Sequence, residues 1–214
     1  MGEWITVAVS VFAFIFYDVY LRWLGARTPM KTARSAHAAI RSAWVKSVMS
    51  RPGTELLVIQ TLRNSVMAAS FMATTAVLAV SATFTLTGVG NTEHTWWHTV
   101  QAANAASALL VTKLALLVGT FFVSFLFLAM AVRFFNHTGY LITGETGAED
   151  AGKRQALAIA YINRAGNYYS FGLRAFFTCA PVLAGLFDTY LMLPATGVLL
   201  VVLYWFDRVP GDEQ

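Results

Sequence analysis

The chain has 214 residues, 57% of them hydrophobic and only 12% charged, with a formal net charge of +4. A soluble domain carries about 25% charged residues, and a single core of this size could not conceal so much apolar surface. An ordinary water-soluble globular domain is therefore excluded, and lipid is the natural solvent for the excess.

A membrane span needs about 20 apolar residues. The first such run covers about 4–24. It is too long for a signal-peptide core and lacks both a basic leader and a small-residue cleavage site, so it reads as a retained span. Asp18 and Arg22 stand four apart near its inner end, placed to pair on one helix face. Gly25 and Pro29 are expected to end it.

Residues 30–50 form a basic stretch without Gly or Pro. Ala33, His37, Ile40, Trp44 and Val48 recur at helical spacing, whereas Lys31, Arg34, Arg41 and Lys46 fall elsewhere around the helix. This predicts an amphipathic helix, too polar to span, lying along the membrane surface with its cations toward lipid headgroups or packed against the bundle. Arg51-Pro52-Gly53 reads as a turn.

A long helical segment follows over about 54–86, with its span at about 64–86. Ser65, Ala69, Ala73 and Ala76 make a small-residue stripe suited to close helix contact. Residues 88–98 form a polar loop without Lys or Arg, and its Trp96 and Trp97 suit an interfacial belt. The third segment ends near Asn136 and spans about 108–133, interrupted only by Lys113. Residues 138–153 read as a Gly-rich acidic loop and 155–165 as a second surface helix. The last apolar stretch, 171–206, exceeds one bilayer crossing. A hairpin of spans at about 171–187 and 190–206, turning near Asp188 and Pro194, gives five spans; one broken helix would give four. The lone cysteine, Cys179, cannot form an internal disulfide and reads as a small core residue.

The expected fold is thus all-α: one polytopic transmembrane bundle of four to five spans over residues 1–214, with a basic amphipathic cytoplasmic helix between spans one and two. Basic residues bracket the first and third inter-span links and are absent from the loop at 88–98. This puts the N-terminus outside and the large loops in the cytoplasm of a cell membrane, such as a bacterial inner membrane.

Gln60-Thr61-Leu62-Arg63-Asn64 followed by Met72-Ala73-Thr74-Thr75 resembles the core motif of the family known as domain of unknown function 599. Arg133-Phe134 with Asn136, and Asn167 before the last apolar run, match as well. The resemblance extends over about residues 5–207. It implies a multi-span membrane protein and assigns no activity.

Ionisable groups at membrane depth are functional suspects. Lys113 is foremost, with Asp188 as its possible partner across the final hairpin and Asp18 on the first span. Gln60, Arg63, Asn64, Arg133 and Asn136 are expected at the inner ends of two adjacent helices. There the two arginines could hold a lipid headgroup or another anion. Glu93, His94 and His98 are weak metal-ligand candidates, because histidines four apart share a helix face. No HExxH, GxSxG, P-loop or GxGxxG motif is present, so an enzyme is disfavoured. No cofactor is required and no nucleic-acid fold signature accompanies the basic stretch. Membrane lipids are the expected partners, together with further copies of the chain or a larger membrane complex.

Three functions fit these residues. The preferred one is a structural or accessory subunit associating through its small-residue stripe. A small oligomeric channel or transporter using Lys113 and Arg63/Asn64 is the first alternative. A metal-binding subunit of a membrane redox enzyme is the second.

Overall fold

In the computed structural model, the described residues are 1–27, 33–86, 105–144 and 150–207. Among them there is no strand. The elements are α1 (Gly2–Arg27), α2 (Ala33–Met49), α3 (Glu55–Leu86), α4 (Ala105–Thr143), α5 (Ala151–Phe177), α6 (Cys179–Phe187), a 3-10 turn (Thr189–Leu191) and α7 (Met192–Asp207). Five stretches are long and apolar enough to cross a membrane: Gly2–Leu21, Glu55–Thr85, Ala108–Thr143, Ala151–Phe187 and Thr189–Asp207. The chain is an all-α polytopic bundle, and the final apolar stretch does fold as a hairpin.

The central member is α4, which packs along both α3 and α5. Ala69, Ala73 and Ala76 are buried in this arrangement, with Ala76 in one core with Leu109, Leu117 and Phe121 of α4. The small-residue stripe is therefore used inside the chain. In lipid such contacts gain from close packing rather than from water exclusion. The α4–α5 contact is closest at Gly172, where an added Cβ would lie 2.6 Å from Leu128 Cγ. The Ser124 hydroxyl donates to the Gly172 carbonyl oxygen at 2.8 Å. On the other flank α1 runs parallel to α7, its Gly2 near Tyr190 and its Tyr17 at Asp207.

Two cores result. Val7, Ala76, Leu117, Cys179, Val182 and Met192 belong to one. Val45, Val48, Val58, Leu62, Phe135 and Ile162 belong to the other, which joins α2 to the near ends of α3, α4 and α5.

Several local expectations change. The stretches 155–165 and 171–187 are parts of one rod, because Ala158, Ile162, Ala165 and Gly172 continue a single buried stripe. The rod is interrupted at Thr178. Pro181 supplies the cause: it has no N–H for the Phe177 carbonyl, and its ring crowds that carbonyl. Pro194 lies in the first turn of α7, where a missing N–H costs nothing. The predicted loop at 138–153 shortens at both ends, since α4 continues to Thr143 and α5 begins at Ala151. α1 holds through Gly25 to Arg27.

α2 packs on α5 with only part of the predicted face. Val45 and Val48 are buried and Arg41 points inward, whereas Ile40 is 65% exposed. Of the predicted apolar stripe, Trp44 and Val48 pack against the core, whereas His37 and Ile40 are exposed.

Candidate ligand site beneath the amphipathic helix

A cleft of about 710 Å³ lies under α2, within the roughly 300–1,000 Å³ usual for ligand sites. α2 contributes Arg34, His37, Arg41 and Trp44. Thr61, Leu62 and Ser65 come from α3, and Phe135 from α4. The rod supplies the wall from Ile162 to Phe177, and α7 lines the far end with Leu203, Phe206 and Asp207.

Arg41 is held in the cleft by a chain of hydrogen bonds. Its Nε donates to Asn163 Oδ1 at 3.1 Å; Asn163 Nδ2 donates to Ser42 Oγ at 2.9 Å; Ser42 donates to the Ala38 carbonyl oxygen at 2.8 Å. The guanidinium lies flat on the backbone at Gly166, where a Cβ would come within 2.5 Å of Cζ. Only glycine permits that approach. Burial pushes the Arg41 pKa below its ordinary value, since desolvation disfavours the charged form, but an arginine stays protonated. Among the described residues Arg41 makes no ion pair, and its Nη atoms make no hydrogen bond. Arg34, about two turns earlier on α2, also lines the cleft, its Cζ 4.6 Å from the centre of the Phe171 ring.

The far end of the cleft is electrically different. Arg174 is ion-paired with the Asp207 carboxylate, and the Tyr17 hydroxyl donates to the other Asp207 oxygen at 3.0 Å. Three helices, α1, α5 and α7, meet in that contact.

The residues singled out from the sequence are distributed otherwise. Gln60, Arg63, Asn64, Arg133 and Asn136 are all exposed, and none of them lines the cleft. Their helices do reach it, but through Thr61, Leu62, Ser65 and Phe135. Asn167 of the family motif is a lining residue. Lys113 is only 6% exposed. It donates to the Gly185 carbonyl oxygen at 2.5 Å and to Thr189 Oγ1 at 2.7 Å, not to the Asp188 carboxylate. Asp188 is exposed and instead accepts from the Tyr190 N–H at 2.9 Å, which shapes the hairpin turn. Asp18 is half-buried on α1. Glu93, His94 and His98 lie outside the described residues, as do Trp96 and Trp97. Among the described residues no group of three His, Cys, Asp or Glu side chains is placed to hold a metal.

Arg41 was missed as a site residue because a cation in an amphipathic helix is ordinarily solvated. The signal that could have marked it is pairwise: Asn163 and Gly166, three apart, offer an acceptor and bare backbone on one face of α5.

No curated protein and no solved structure matches this chain. The motif residues that carried the resemblance, from Gln60 to Asn167, all fall within residues 5–211, which match the family described as protein of unknown function, DUF599, and the chain belongs to that family.

Proposed function

We propose that this chain is a membrane-resident binding protein that holds an anionic ligand in the cleft beneath α2. The basic residues gathered at that end favour placing it on the cytoplasmic side of a cell membrane. The reading rests on Arg41, a half-buried guanidinium with one protein hydrogen bond and no carboxylate partner among the described residues. Burying a cation without an answering charge is costly. A phosphate or carboxylate would accept bidentate hydrogen bonds from its Nη atoms. The accessory-subunit reading drew on the small-residue stripe, which packs within the chain. The channel reading drew on Lys113, whose hydrogen bonds also stay within the chain. Neither feature now favours those readings over a binding role.

The test is anion binding by the purified protein in phosphatidylcholine nanodiscs. Wild type is titrated with glycerophosphate and, separately, with phosphatidylglycerol doped into the disc. It should bind at least one of them, and Arg41→Gln should weaken that binding about tenfold, roughly the worth of one charge-assisted hydrogen bond. Arg41→Lys should restore part of the loss. Equal binding by wild type and Arg41→Gln, with both variants folded, would remove the reading.

A further inference from the structure

Resting on that reading, we infer that the ligand is a phospholipid with an anionic head. Its head lies against Arg41, and one acyl chain runs along the cleft toward α7. The two ends of the cleft differ in both charge and polarity. At one end Arg41 has donors to spare. About 12 Å further along α5, at 1.5 Å per residue, Arg174 is already answered by Asp207. Arg174 therefore does not compete for the anion, and the charged head is assigned to Arg41, at the end of the cleft that Arg34 also lines.

Beyond Arg174 the walls are apolar: Leu173 and Phe177 from α5, Leu203 and Phe206 from α7. Phe177 is 43% and Phe206 68% exposed, so this end opens sideways through side chains that a hydrocarbon chain would cover. Both belong to stretches long and apolar enough to span, so the opening faces lipid if those stretches cross. A free anion such as inorganic phosphate would use Arg41 and leave this apolar end unfilled. An amphiphile fills both ends. Each buried methylene strengthens binding severalfold, and the enclosing walls favour an acylated ligand over its bare head.

The experiment compares phosphatidylglycerol with its water-soluble deacylated head, glycerophosphoglycerol, on the full chain in phosphatidylcholine nanodiscs. Retained lipid is counted by native mass spectrometry. Wild type should retain phosphatidylglycerol against at least a tenfold excess of the soluble head. Phe177→Gln with Phe206→Gln should lower retention about tenfold, and because both side chains are exposed the fold should survive. Glycerophosphoglycerol binding should be unchanged by that pair. If the soluble head displaces the lipid on equal terms, or the double variant retains lipid as wild type does, the phospholipid inference fails and the anion site stands. If neither ligand binds, both fall.

Discussion

The Lys113 ammonium and the Gly185 carbonyl, 72 residues apart, meet at 2.5 Å. Gly185 is in the last turn of α6, where carbonyls lose their helix donors. Lys113 supplies a donor from α4 and also holds Thr189 in the turn that follows. Lys113→Met should therefore loosen the final hairpin, at a cost of about 1–3 kcal/mol for the abandoned acceptors. Thermal unfolding in mild detergent would register this as a lower midpoint. An unchanged midpoint would mean that the lysine is dispensable to the hairpin.

Gly172→Ala should destabilise the bundle by about 1–3 kcal/mol, the usual cost of overpacking. The new Cβ would meet Leu128 Cγ at 2.6 Å and the Leu128 backbone nitrogen at 3.2 Å. Trimming the opposing side chain in Gly172→Ala/Leu128→Ala should recover part of that loss, a coupling that a double-mutant cycle measures. Strict additivity would contradict the close contact.

Asp207→Asn should act in two opposite directions. Stability should fall by about 1–3 kcal/mol, because Arg174 and Tyr17 lose a shared carboxylate. Anionic lipid retention should rise, because Arg174 then joins Arg41 as a cation without an internal counter-charge. Parallel melting and lipid-retention measurements on the variant decide both halves.

Ala73→Leu should lower thermal stability while leaving the mass of the detergent-solubilised particle unchanged. Ala73 is buried within the chain on α3, so a larger side chain strains α3 against its own neighbours. A changed particle mass at unchanged stability would instead put the stripe at a contact between copies.

Much of the fold was legible in the sequence because lipid imposes a simple requirement. Apolar runs of sufficient length announced α1, α3 and α4, and the turn at Asp188 separated the last two spans. Rotation about a helix axis was harder to read. On α2 the apolar stripe held at Trp44 and Val48 but not at His37 and Ile40, because Arg41 finds its acceptor on α5 and glycine backbone to lie against. Arg63 and Arg133 looked like a clamp from their sequence context, yet they are exposed, and the cleft is lined by their neighbours Thr61, Leu62 and Phe135. Position along a chain gives depth in the bundle; which way a side chain points depends on partners that are distant in sequence. The merging of α5 with the following span was hidden by the polar character of residues 163–170, of which Gly166, Asn167, Tyr169 and Ser170 line the cleft.

The length of α4 has a mechanical consequence. Its 39 residues form one continuous helix about 58 Å long, nearly twice the roughly 30 Å of a hydrocarbon core. If it crosses the bilayer, nearly half of its length lies beyond the hydrocarbon. A stiff rod of that length acts as a lever: when a thinner or thicker bilayer alters its tilt, the protruding end swings through a larger arc than the embedded half. The core that carries α2 takes Ala131 and Phe135 from the C-terminal part of α4, so a change in the tilt of α4 would carry α2 with it.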